Sequence, residues 1–171
     1  MKLTLRAPEP ADIDFMYRLE NELEARRWSD TPGPLSRRAL ERFVEAYDGE
    51  IAAGGQLRYI ALSDELMGGQ PLAIVDLYNY DAVNLRAFVG ITVDAQFRHY
   101  GVGRACLAAL ADEARRQLDL YQLVAIVSSE NAVSQRLFES AGYTCQGRLP
   151  AWLRRGLTFV DALIYICVLG K

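Results

Sequence analysis

The stretch Tyr121–Ser128 reads Tyr-Gln-Leu-Val-Ala-Ile-Val-Ser, a nearly continuous apolar run of strand length. Such a run suits a central strand covered on both faces. Segments of helical period flank it. Upstream, a helix from about Gly101 places Leu107, Leu110, Ala111, Ala114 and Leu118 on one face. Downstream, Asn131–Ala141 places Val133, Leu137 and Ala141 along one stripe, and Gly142 suits the residue just past a helix end. A buried strand between two helices requires a layered α/β arrangement.

The first half of the chain reads differently. Residues 3–7 form a short strand that stops at Pro8. Asp12 caps or opens a helix to about Arg26, with Ile13, Met16 and Tyr17 on one face. Residues 28–34 are rich in turn formers. Ser36 is a good N-cap for a helix carrying Leu40, Phe43, Val44, Tyr47 and Ile51, which Gly54-Gly55 ends. Strands follow at 57–62, 72–80 and 86–93, the first two joined through the polar segment Ser63–Gln70. After the polar loop 94–100 and the central helix–strand–helix, the chain closes with strands at 143–148 and 158–168 and a loop at 150–156. The order β-α-α-β-β-β-α-β-α-β-β predicts a mixed α/β sheet. It excludes a Rossmann domain, which would alternate from the start.

Length and charge narrow the class. At 171 residues the chain reads as one domain, 1–171. A net charge of −3 argues against a nucleic-acid partner. No apolar run approaches the roughly 20 residues of a membrane helix, and the first residues lack a basic-then-apolar signal. Cys106, Cys145 and Cys167 are odd in number and far apart, which favours a reducing, cytoplasmic setting over a disulfide framework. His99 is the only histidine, so zinc sites needing two or three histidines from one chain are excluded, and no metal is expected.

The segment Arg98-His99-Tyr100-Gly101-Val102-Gly103-Arg104 lies between a strand and a helix. Helix N-termini offer unpaired N–H groups and a positive dipole end, which suit a pyrophosphate. Gly101 and Gly103 allow close backbone approach, and Arg98 and Arg104 can add charge-assisted contacts. The same glycines also serve a plain tight turn, and His99 is either loop surface or a phosphate contact. Asn131, at a helix start after the buried strand, is either a ligand to an extended amide or an ordinary cap. Asp76 lies mid-strand on the face of Ile74 and Tyr78. It is either a group that handles an ammonium or half of an ion pair, with Arg86 as the nearest candidate partner. Tyr78, Tyr80, Trp28 and Trp152 are either pocket walls or core. The pairs Arg26-Arg27, Arg37-Arg38 and Arg154-Arg155 read as solvated faces, or for one pair as a phosphate contact, and Glu20, Glu22 and Glu24 face several directions and make no single acidic stripe. Cys106 reads as core.

Together these residues resemble the GCN5-related N-acetyltransferase (GNAT) superfamily. Its signature Arg/Gln-x-x-Gly-x-Gly/Ala stands as Arg98-x-x-Gly101-x-Gly103, and 129–134 with 137–143 resembles its second cofactor segment. The chain is most similar to the branch of spermidine/diamine and ribosomal-protein N-terminal acetyltransferases, on Leu3–Ala7, Trp28 and the Trp152…Tyr165 layout. The resemblance implies a GNAT fold with acetyl-CoA in a cleft where parallel strands 87–93 and 121–128 splay. It implies pantetheine against Ile91 and Val93, and pyrophosphate on Arg98, His99, Gly101, Val102, Gly103 and Arg104. Asn131 and Ser134 would lie near the thioester, and the amine would attack directly. The acceptor would be a diamine or polyamine, or a protein N-terminus, beside Trp28, Asp76, Tyr78 and Tyr80. Relatives are often dimers or larger homo-oligomers.

Two positions depart from the pattern. Phe138 stands where many relatives carry a Tyr proton donor, which leaves Ser134, a water or Tyr143 for that role, Ser134 first. Phe88 stands where spermidine enzymes tend to carry Glu. Asp76 is the carboxylate candidate for holding or relaying a substrate proton. The competing readings are an acetyl-CoA sensor without catalysis and a generic phosphate-binding domain.

Overall fold

A computed structural model describes residues 1–29, 33–63 and 67–170. The turn-rich segment at 28–34 and the connection at 63–70 fall partly outside these residues. Seven strands form one sheet in the order β1-β2-β3-β4-β5-β7-β6. They are β1 (Thr4–Arg6), β2 (Gln56–Leu62), β3 (Pro71–Asp81), β4 (Arg86–Val93), β5 (Gln122–Ser128), β6 (Thr144–Arg155) and β7 (Thr158–Val168). All neighbours are antiparallel except β4 and β5, which are parallel. The helices are α1 (Ile13–Glu20), α2 (Leu23–Trp28), α3 (Arg37–Glu45), α4 (Ile51–Gly54), α5 (Val102–Gln117) and α6 (Ala132–Ser140).

The sheet divides two apolar clusters. On one face Val75, Leu77, Leu123 and Ala125 pack against Cys106, Leu107 and Leu110 of α5 and Phe138 of α6. On the other, Ile60 and Ile74 pack against Phe15, Met16 and Leu19 of α1 and Leu40 of α3. β5 is buried along most of its length, as its apolar run predicts.

Several boundaries differ from the sequence expectation, each for a local reason. The helix expected from 12 to about 26 breaks at Asn21. Its side chain donates to Tyr17 O and Leu35 O and accepts from the Leu35 N–H, so it competes with the helical backbone. Ser36 does cap α3, accepting from the Ala39 N–H at 3.1 Å, but that helix stops at Glu45, and α4 is a separate turn beyond Gly49 (φ 76°). The expected loop at 150–156 is mostly strand: β6 runs on to Arg155 with its register broken between Leu149 and Leu153. Pro150 is accommodated because β6 is an edge strand and this is a bulge.

Candidate active site

β4 and β5 pair at only three positions, Arg86 with Gln122, Ala87 with Leu123 and Phe88 with Val124. Beyond these, β4 follows β3 to Val93 and β5 follows β7 to Ser128. The Asp94 N–H donates to Leu72 O across the β3 side at 3.0 Å. Backbone groups alternate sides along a strand, so those of Val89, Ile91 and Val93 turn toward the gap that β5 has left. Buried backbone groups need partners, so this gap suits a ligand that pairs as a strand does.

α5 opens at the mouth of the gap. His99 (φ 68°) and Gly101 (φ 79°) turn the chain, and no side chain caps the helix. The N–H groups of Val102, Gly103 and Arg104 therefore end α5 unpaired within it, an arrangement that favours an anion. The two glycines differ in purpose. A Cβ on Gly101 would meet nothing, so that position needs glycine for its left-handed backbone. A Cβ on Gly103 would lie 3.0 and 3.1 Å from the two Cδ atoms of Leu137, so glycine there lets α6 approach without displacing that side chain. Arg98 donates to Val93 O, Glu24 Oε2 and Glu22 Oε2, so Glu22 and Glu24 already balance its charge. Arg104 and Arg136 also line the cleft and pair with no acidic side chain among the described residues.

The far end carries charge on the sheet. Arg58 of β2 donates from Nε to Asp76 Oδ1 at 2.8 Å and from Nη2 to Oδ2 at 2.9 Å. Its Nη1 lies 2.6 Å from Glu20 Oε1, and Gln56 Nε2 donates to Asp76 Oδ1 at 3.1 Å. Burial alone would lower the Arg58 pKa, but Asp76 and Glu20 together hold it raised. The partner of Asp76 is thus Arg58, not Arg86, which pairs with Asp81 on the turn. Gly90 faces Asp76 across the β3–β4 ladder and leaves the carboxylate uncovered by a β4 side chain. Trp28 stacks with the guanidinium groups of Arg27 and Arg155.

α6 supplies the opposite wall. Asn131 accepts from the Ser134 N–H at 3.0 Å, so it is a cap as well as a cleft residue. Ser134 lines the cleft one turn on. At the other end, the Gly142 N–H donates to Glu139 O and the Tyr143 N–H to Phe138 O. With Gly142 at φ 89° this is a Schellman motif, whose apolar contact joins Phe138 and Tyr143 edge to face at 5.1 Å.

These walls enclose one cleft of about 1370 Å³ running from the N-terminus of α5 to Asp76. The chain matches the acetyltransferase (GNAT) domain model over residues 2–144. The chain belongs to the GNAT acetyltransferase family. It is an N-acetyltransferase that uses acetyl-CoA. Spermidine N(1)-acetyltransferase of Escherichia coli K12 is 26% identical over 149 residues, covering 85% of this chain and 74% of that protein. The Vibrio cholerae spermidine N(1)-acetyltransferase is 23% identical over 149 residues, covering 86% and 82%. The crystal structure of spermidine N-acetyltransferase from Vibrio cholerae in complex with CoA and spermine superposes with a TM-score of 0.84 at 21% identity, covering 98% of this chain and 95% of that one. Nothing in these relatives favours a sensor over an enzyme.

On this GNAT scaffold, Ile91, Val93, Arg98, His99, Gly101, Val102, Gly103, Arg104, Asn131, Ser134, Trp28, Asp76 and Tyr78 all line the same cleft. Tyr80 and Tyr143 do not. A bulge at Asn79 (φ 51°) turns Tyr80 to the α5 side of the sheet, where it packs on the core. The Schellman motif holds Tyr143 in that core, 4% exposed, with its hydroxyl unpartnered. Burial, then the neighbouring Cys167, raises its pKa, and Tyr143 is not part of the cleft lining. Trp152 is 60% exposed and also lies outside the cleft. Sequence reasoning missed Arg58, Gly90 and Arg136 and set Glu20 and Glu24 aside as facing different directions, yet all five line the cleft. The break at Asn21, which separates Glu20 on α1 from Glu24 on α2, was not legible in the sequence. Among the described residues, no cluster of three or more His, Cys, Asp or Glu side chains is placed to hold a metal ion. None of their helices is long and apolar enough to cross a membrane.

Proposed function

We propose that this GNAT enzyme acetylates a primary amine of a diamine or polyamine. The observation that carries the reading is the continuity of the cleft. One end is a backbone-lined gap beside an uncapped helix N-terminus, and the other reaches the carboxylates of Glu20 and Asp76. The named activity of the relatives supports the amine class.

When bound, acetyl-CoA supplies an activated acetyl thioester. The exposed backbone edge of Val89 and Ile91 would hold its pantetheine amides; the Val93 carbonyl is taken by Arg98. The N–H groups of Val102, Gly103 and Arg104, with the Arg104 and Arg136 guanidinium groups, would hold its phosphates. The Val93 N–H is the donor for the carbonyl oxygen as it gains charge. Glu20 and Asp76 orient the acceptor through its ammonium end. Asp76 has both oxygens engaged by Arg58, so it sets the local charge and takes no proton in this scheme.

Ser134 is assigned to relay a proton: as the C–N bond forms and the C–S bond breaks, its hydroxyl gives a proton to the departing thiolate and takes one from the attacking nitrogen. A free thiol titrates near pH ~8.5, so the thiolate is a tolerable leaving group, and a donor contributes roughly 10²–10⁴-fold. The three free thiols suit a cytoplasmic, reducing setting.

The test is CoA release from acetyl-CoA across diamines, spermidine, spermine, amino acids, aminoglycosides and peptides with free N-termini. Saturable release with diamines or polyamines is expected. Release with peptides alone would move the acceptor to a protein N-terminus. Unchanged kcat in Ser134→Ala would remove Ser134 from the scheme.

A further inference from the structure

We propose that Arg58 determines acceptor specificity: its guanidinium fills the place between Glu20 and Asp76 that a further substrate ammonium would take. The acceptors it admits then carry a single ammonium besides the reacting nitrogen. The inference rests on the amine-acetyltransferase reading above and narrows it to short diamines.

Two carboxylates from separate elements, α1 and β3, converge on one point of the cleft. Two carboxylates facing each other are the usual means of holding an alkylammonium. Here the protein's own cation stands between them, with contacts of 2.6 Å to Glu20 and 2.8 and 2.9 Å to Asp76. It is a fixed cation. The side chain is 12% exposed, it springs from an interior strand, and the Phe43 ring lies 5.3 Å from its guanidinium carbon. The cluster nonetheless lies on the cleft wall, and Gly90 keeps its Asp76 side open.

Charge counting gives the selectivity. Glu20 and Asp76 carry −2 and Arg58 carries +1, leaving −1 on this triad. Direct attack requires the reacting nitrogen to be neutral. A diamine then brings one ammonium, spermidine two and spermine three. The first ammonium matches the residual charge. Each further one meets an uncompensated guanidinium, and like charges placed together penalise the wrong partner. Removing Arg58 exposes both carboxylates and reverses the preference.

The experiment compares kcat/KM for 1,4-diaminobutane, spermidine and spermine in wild type, Arg58→Lys and Arg58→Gln at one ionic strength. Thermal melts report folding. Wild type is expected to favour the diamine over spermine by about tenfold or more. Arg58→Gln is expected to move that ratio toward spermine by roughly tenfold, and Arg58→Lys to keep the wild-type order. If Arg58→Gln does not fold, Glu20→Gln decides. It brings the local charge to zero and is expected to lower the preference for the diamine over propylamine by roughly tenfold. A wild type that favours spermine, or a folded variant whose ratio does not move, overturns the inference alone. An absence of CoA release with every amine overturns the functional reading and this inference with it.

Discussion

Gly103→Ala separates two explanations of a glycine in the cofactor loop. If the residue is small so that a phosphate can approach, alanine weakens cofactor binding and the cost is independent of α6. The structure instead places the new Cβ 3.0 and 3.1 Å from Leu137 Cδ1 and Cδ2 and 3.6 Å from Val93 Cγ2. The two Leu137 separations are several tenths of an ångström short of an ordinary carbon contact, whereas that to Val93 is ordinary, so Leu137 must yield. Overpacking of this kind costs about 1–3 kcal/mol. Against it stands the helix-propensity gain of alanine over glycine, about 0.8–1.0 kcal/mol in a helix interior and less in a first turn. The net expectation is a loss of about 0–2 kcal/mol. Because that range touches zero, the decisive quantity is a coupling energy. In a Leu137→Ala background the Cβ has room, and Gly103→Ala should become neutral or stabilising. Urea denaturation of the four proteins in the cycle should give a coupling of about 1–3 kcal/mol. A coupling under about 0.5 kcal/mol would refute the packing argument and return Gly103 to the phosphate role.

Three further outcomes are expected. Tyr143→Phe removes a buried, unpartnered hydroxyl, so it should raise stability by about 1 kcal/mol and leave kcat within about twofold; a large fall in kcat would restore Tyr143 to the chemistry. Asn131→Ala removes the cap of α6 and should cost about 0.5–2 kcal/mol in denaturant melts, with a rise in the KM for acetyl-CoA because the same residue walls the cleft. In a thiol titration at pH 8, exposed Cys145 should react readily. Burial pushes the Cys106 thiol up to about 12, so it stays protonated at pH 8 and should react only on unfolding; prompt labelling of Cys106 would contradict its burial.

Much of this was legible in the sequence because the signals are local. The apolar run of β5, the helical period of α5, the Ser36 cap and Gly142 beyond α6 each express a rule that acts within one element. Gly101 belongs with them, since its positive φ is a property of the turn itself. The family signature is likewise a contiguous string, so residues of the cofactor end could be named by number.

Whatever depended on two elements meeting could not be read this way. The partner of Asp76 is fixed by the β2–β3 register, which sets it opposite Arg58, while Arg86 is drawn off by Asp81. Tyr80 leaves the cleft because one bulged residue reverses its face, and side-chain alternation with a period of two has no tolerance for such an insertion. Tyr143 is lost to the core because a Schellman motif pins it to Phe138. The purpose of Gly103 is set by a leucine 34 positions later. The sequence by itself thus determined the seven strands, their order along the chain and the chemistry of the loop, because those follow from neighbours along the chain. The tertiary structure alone decided which charges meet in the cleft and which aromatic rings face it, because register, bulges and helix approach are set across the sheet.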